Sequence, residues 1–96
     1  MIEAGKINLD GNELDVVSVK TENSIVLLIK AKKGMLGCGY FSTETADKLG
    51  DALAIVTGVN SFDDMLTATI KLVSSKAKEL GIDETMTGKQ ALQKLM

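Results

Sequence analysis

Apolar and polar residues alternate from Lys6 to Leu9, with Ile7 and Leu9 set against Lys6 and Asn8. That is the period-two mark of a half-buried strand. Asp10-Gly11 then supplies the positive φ of a tight turn, and "NELDVVSVKT" resumes the strand pattern. Residues 2–21 therefore read as a β-hairpin. After the polar stretch Thr21 to Ser24 comes "IVLLIKA", a β-branched apolar run that predicts a central strand buried on both faces. The turn "AKKG" follows, with Gly34 as its expected left-handed residue, and "MLGCGYF" is expected to return antiparallel.

Beyond residue 41 strand-like runs alternate with short helices carrying explicit start signals. Ser42 caps "TETADKL", which Gly50 ends; "ALAIVTGV" is the next strand; Ser61, with Asp64 three residues on, opens "FDDMLTA". "TIKLVS" leads into "SKAKELG", and Thr87 with Gln90 forms a capping box for "GKQALQKLM", with Met86 and Ala91 as its hydrophobic staple. The pattern predicts an α+β or α/β fold: an N-terminal antiparallel β-hairpin joined to a small mixed β-sheet covered by short α-helices. Residues 1–96 read as a single domain, with the hairpin at 2–21 and the α/β core at 24–96. The C-terminal strands "MLGCGYF", "ALAIVTGV" and "TIKLVS" are expected to run parallel.

Composition narrows the chemistry. Histidine is absent and there is one cysteine, which removes Ser-His-Asp and Cys-His catalysis and every ordinary structural zinc site. Any acid or base must be a carboxylate, lysine, tyrosine or Cys38. A net charge of −2 and 3% aromatic residues provide neither the basic footprint nor the stacking surface of a nucleic-acid binder. No apolar run approaches the ~20 residues that span a bilayer, and the lone cysteine suits a reducing compartment. The expectation is a cytoplasmic protein with no nucleic-acid or membrane partner, no metal and no cofactor.

The segment "KKGMLGCGYFSTET" is the most conspicuous candidate site. It lacks the spacing of a phosphate-binding loop, and in an extended strand Leu36, Cys38 and Tyr40 share one face while Gly37 and Gly39 leave bare backbone on the other. Close packing is the favoured reason for those glycines. Cys38 reads as a small buried hydrophobe, with a nucleophilic or redox-sensing thiolate as the alternative; Lys32 and Lys33 lie at the far end of the strand from it. If the three strands are parallel, the caps Ser42, Ser61 and Ser74 or Ser75 converge at their C-terminal edge, where free N–H groups suit a small anionic ligand. Ser42, Gly58, Asn60 and Ser61 are the ligand-binding candidates. Asp47, Asp51, Asp63, Asp64, Asp83 and Glu84 follow no EF-hand spacing and read as solvated or helix-start residues.

The hairpin raises a different question. Ile7, Leu9, Leu14, Val16, Val17 and Val19 display more apolar surface than one thin sheet covers, in a chain short enough to be marginal as a monomer. A second subunit is the expected lid, in a homotetramer or homodimer.

Three segments, "KKGMLGCGYF", "GDALAIVTGVNSFDDML" and "LGIDETMTGKQAL", together resemble the YunC-like proteins of bacteria and archaea, the domain of unknown function 1805. The likeness runs from about Ser24 to the C-terminus. It is carried by Gly34, Cys38, Gly39 and Tyr40, by Gly50, Asp51, Gly58 and Val59, and by Gly88, Ala91 and Leu92. Thr85 and Lys89 stand where the family pattern has glycine and arginine, and lysine does not reproduce a bidentate arginine. The resemblance implies a small α/β domain whose N-terminal β-structure serves tetramerisation, with no established activity. Together these readings describe a structural or small-ligand-binding homo-oligomeric module, the alternative being a small-molecule enzyme or redox sensor with Cys38 as nucleophile.

Overall fold

The Asp10-Gly11 turn has both residues at positive φ, 53° and 83°, the geometry whose twist matches paired strands. It joins β1 (Ile2–Leu9) to β2 (Asn12–Lys20) in an antiparallel ladder from Ile2↔Val19 to Leu9↔Asn12. β3 (Ile25–Lys30) pairs antiparallel with β2, and β4 (Met35–Gly37) antiparallel with β3. This computed structural model describes all of residues 1–96.

The chain then crosses through α1 (Thr43–Leu49) to β5 (Leu53–Ile55), which lies parallel to β4. α2 (Phe62–Thr67) leads to β6 (Leu72–Val73), and α3 (Ser75–Glu79) and α4 (Gly88–Leu95) complete the fold. The six strands form one mixed sheet in chain order, β1-β2-β3-β4-β5-β6.

Three helices begin at their expected caps, and of the pair Ser74 or Ser75 it is Ser74 that caps the third in chain order. Ser42, Ser61, Ser74 and Thr87 each accept a main-chain N–H from three residues on, and the Thr87–Gln90 capping box is complete. Gly50 closes α1 at φ 77°, the left-handed cap only glycine takes without strain.

Three expectations are corrected. β6 runs antiparallel to β5, through Ala54↔Val73 and Ile55↔Leu72, because the α2–β6 connection returns along the same edge instead of crossing back. The all-parallel C-terminal half therefore reduces to one parallel pair. Gly34 is not left-handed; a Cβ there would stand 2.5 Å from the Ala52 carbonyl oxygen and 2.8 Å from Leu95 Cδ2, so close approach is what requires glycine. "MLGCGYF" is a strand only to Gly37, since the Phe41 N–H turns back to donate to the Cys38 carbonyl at 3.1 Å.

Register sorts the side chains onto two faces. On the inner face Val16, Ile29, Leu36 and Ala54 lie in cross-strand succession, with Leu14 two residues before Val16 on β2. With Met65 of α2, Ala77 of α3 and Leu92 and Leu95 of α4 they form one core. The outer face is treated differently along its length. At β5, Ala46 of α1 covers Leu53 and Ile55, and the Phe41 ring occupies the bare side of Gly37, 2.6 Å from where a Cβ would stand. Over β1, β2 and β3 no helix covers it, and "IVLLIK" is fully buried only at Leu27 and Ile29.

Candidate functional site

The helices after the two parallel strands leave in opposite directions. α1, following β4, packs on the outer face, and α2, following β5, packs on the inner face. Strands whose following helices diverge in this way open a crevice at their C-terminal ends. Such a groove is present, with a volume of about 320 Å3. One wall is Cys38, Gly39 and Tyr40 from the β4–α1 loop and the other is Gly58, Val59 and Asn60 from the β5–α2 loop. Ser24 and Ile25 line it too, because β3 runs antiparallel to β4 and so begins where β4 ends.

Of the expected ligand residues, Gly58 and Asn60 meet in this crevice, and Cys38 lies in its lining. Ser42 lines a separate hollow beside α1 with Met35, Phe41 and Leu49. Ser61 is occupied as a cap, accepting the Asp64 N–H at 3.1 Å. Ser74 is elsewhere: with β6 antiparallel it sits at the start of β5, fully buried, accepting the Leu53 N–H at 2.9 Å and donating to the Asp51 carbonyl at 2.9 Å. Ser75 N–H donates to the Asp47 carboxylate at 2.7 Å. Ser24 and Ile25 went unnoticed in the sequence, although the antiparallel β3–β4 reading was enough to place them at this edge.

The hydrogen bonding at the crevice differs from that expected of helix starts. Asp64 turns its carboxylate back onto the Asn60 N–H at 3.0 Å, and Ser42 takes the Thr45 N–H at 3.2 Å, so each helix start has one nearby N–H held by a side chain of its own. The loops carry free backbone groups of their own. The N–H groups of Gly39, Tyr40, Thr57, Gly58 and Val59 donate to no atom of the protein, and the carbonyls of Gly39, Tyr40, Thr57 and Gly58 accept from none. Gly58 takes φ 70° with open space around it, a turn that keeps this backbone uncovered.

Cys38 is buried, 4% exposed. Its N–H donates to the Leu27 carbonyl at 3.1 Å and its sulfur accepts the Leu27 N–H at 3.3 Å, so the thiol is tied into the end of the β3 ladder. No lysine or carboxylate lines the crevice beside it. No three His, Cys, Asp or Glu side chains come together anywhere in the fold, and no helix is long and apolar enough to cross a membrane.

The second candidate surface is the outer face of β1, β2 and β3. Register places Ile2, Val19 and Val26 in one cross-strand row and Ala4, Val17 and Leu28 in the next. Ile2 is 72% exposed and Val17, Val19, Val26 and Leu28 are only half-buried. A charged row, Lys6, Asp15 and Lys30, bounds the patch, with Lys6 Nζ 2.8 Å from Asp15 Oδ1. This ion pair raises the Lys6 pKa and lowers that of Asp15 through hydrogen bond and charge.

The six hairpin residues expected to face a second subunit thus divide, and that expectation is corrected. Leu9, Leu14 and Val16 are buried inside the chain and Ile7 packs against the same cluster, which Leu92 and Leu95 of α4 join. Its Gln93 side chain donates to Asp10 at the hairpin turn at 2.8 Å. Only Val17 and Val19 remain on the uncovered face.

A family model described as Domain of unknown function (DUF1805) matches residues 37–95. The uncharacterized protein YunC of Bacillus subtilis (strain 168) is 27% identical over 100 residues, covering 100% of this chain and 99% of that one. Among solved structures, a protein of unknown function, TA1206 from Thermoplasma acidophilum, is similar at a TM-score of 0.94 and 32% identity, covering 100% of this chain and 94% of its own.

Proposed function

This chain belongs to the family described as Domain of unknown function (DUF1805), and from that premise we propose that it is a non-catalytic structural module that assembles with copies of itself. The observation that carries the reading is the uncovered outer face of β1, β2 and β3, two apolar cross-strand rows ended by a charged one. Contiguous apolar surface rimmed by charge on a chain this small is the pattern of an interface. A second copy laid on the same face would bury Ile2, Ala4, Val17, Val19, Val26 and Leu28 against themselves about a two-fold axis, giving a homodimer or, by doubling, a homotetramer. The lone thiol suits a reducing, cytoplasmic setting.

The test is light scattering coupled to size exclusion at micromolar concentration, on the intact chain and on Val17→Lys combined with Val19→Glu. Both positions are half-buried on the outer face, so the monomer keeps its inner core. The expected result is a dimer or tetramer for the intact chain and a folded monomer for the variant. A monomeric intact chain overturns the reading, and so does an undiminished oligomer in the folded variant.

A further inference from the structure

The crevice between the β4–α1 and β5–α2 loops has a use that self-association of the outer face does not supply. Its position follows from topology: α1 and α2 leave adjacent parallel strands toward opposite faces, and such a divergence is where open sheets seat ligands. Its chemistry follows from the backbone. Four N–H groups in its walls, from Gly39, Tyr40, Gly58 and Val59, and three carbonyls, of Gly39, Tyr40 and Gly58, have no partner in the protein. Donors and acceptors therefore stand side by side, over a lining that includes the apolar Ile25 and Val59 and an exposed Tyr40 ring.

Charge decides among ligands. The lining holds no lysine and no carboxylate, while Asp63 and Asp64 crowd the first turn of α2 and the Asp64 carboxylate sits on the Asn60 N–H. An anion would meet these carboxylates with no cation to offset them. A carboxamide meets the site on its own terms, its oxygen accepting from the loop N–H groups, its NH2 donating to the loop carbonyls, and a flat body lying against Tyr40. We infer that the crevice between Cys38–Tyr40 and Gly58–Asn60 is a binding site for a small uncharged carboxamide. It takes the place of the anion expected at the helix caps, because Asp63 and Asp64 stand at that edge and no lysine lines the crevice.

Gly39 offers a way to close the site without unfolding the chain. Its φ is not positive and a Cβ there meets only Thr57 Cγ2, at an ordinary 3.5 Å, so a valine side chain would stand between the two loops. The experiment is an amide-resolved 15N NMR titration with three probes that share one ring: benzamide, benzoate and phenyl phosphate. Benzamide is expected to move the Gly39, Tyr40, Thr57, Gly58 and Val59 resonances saturably, in the millimolar range natural to so small a probe. Benzoate should bind more weakly and phenyl phosphate least. Gly39→Val should weaken benzamide by roughly tenfold or more, and Tyr40→Ala, an exposed change that leaves the core alone, should also weaken it. The Val17→Lys, Val19→Glu variant should bind benzamide as the intact chain does, which separates this site from the assembly reading. Absence of saturable shifts at these amides, tighter binding of either anion, or unaltered benzamide binding in both folded variants would overturn the proposal.

Discussion

Ser74 does more at the residue scale than cap a helix. Its buried hydroxyl joins the Asp51 carbonyl, the Leu53 N–H and the Ala77 N–H, so the start of β5 and the start of α3 share one oxygen. Ser74→Ala would leave the Leu53 N–H unpaired in the core. That costs about 1–3 kcal/mol, read as a lowered thermal midpoint in calorimetry. Gly88 is constrained differently: a Cβ would collide with the Met65 carbonyl oxygen. Gly88→Ala should force α4 away from α2 and destabilise by roughly 1–3 kcal/mol, whereas the same change at Gly39 should be nearly silent. Equal loss at the two glycines in denaturant titrations would contradict the packing described. Cys38 should label slowly with thiol reagents in the native state and fast in denaturant, since its sulfur is buried and bonded to Leu27. The sequence disclosed the burial of this cysteine through its neighbours. It could not disclose why Gly34 and Gly88 are glycines, because the reason in each case is an atom from a distant part of the chain.

Elements were legible where the signal is local. Three helix starts could be placed from a hydroxyl cap, Ser42, Ser61 and Thr87, the last two with a partner three positions on; the fourth was narrowed to Ser74 or Ser75, and the hairpin followed from Asp10-Gly11 between alternating runs. Strand direction after α2 was not legible, since nothing within "TATIKLVS" states whether the connection crosses the sheet or returns along its edge. The oligomer candidates divided for the same reason: period two separates Val16 from Val17 but does not say which face α4 takes. A carboxylate of β2 and one of the α3–α4 connection add a pH dependence. The Asp15 pKa is lowered by Lys6, and that of Asp83 by hydrogen bonds from the Thr85 hydroxyl and N–H. A carboxyl whose folded pKa is depressed stabilises the fold above its ordinary value, here 3.8, and that support is lost as pH falls through the depressed value. Lys6 is the opposite case: its support is present below 10.5 and lost as pH rises beyond its raised pKa. All three groups are exposed, so salt should shrink the effects. Asp83→Asn and Asp15→Asn are each expected to flatten the fall in stability on acidification in urea titrations followed from neutral pH down to strong acid. An unaltered acid limb in both would contradict it.

For the whole molecule, the sheet has one end finished by helices on both faces and another finished on one face only. The candidate sites follow that division. The crevice lies between strands covered on both sides, where loops must leave in opposite directions, and the apolar patch lies where the chain has no helix left to cover it. Of the crevice, Cys38, Gly58 and Asn60 were within reach of sequence reasoning, because the loops after strands can be named in advance. Its unpaired backbone was not, since hydrogen bonding between loops depends on how far β4 and β5 splay beyond Gly37 and Ile55.

The order of the sheet also bears on how the chain finds it. Because β1 to β6 lie side by side in the order in which they occur, each ladder pairs neighbours in sequence, which closes shorter loops than pairing distant strands would. α4 is the exception. It spans back to Asp10 through Gln93 and holds the β3–β4 turn through the Lys33 N–H and the Leu95 carbonyl at 2.7 Å, so its docking closes nearly the entire chain into a loop. It should be among the last steps of folding, after the rate-limiting barrier. Leu92→Ala is then expected to accelerate unfolding severalfold while leaving the refolding rate close to that of the parent, a division that stopped-flow kinetics in denaturant reads directly. A refolding rate that drops in step with stability would place the docking of the last helix before the barrier, and the sheet could then form only under its lid.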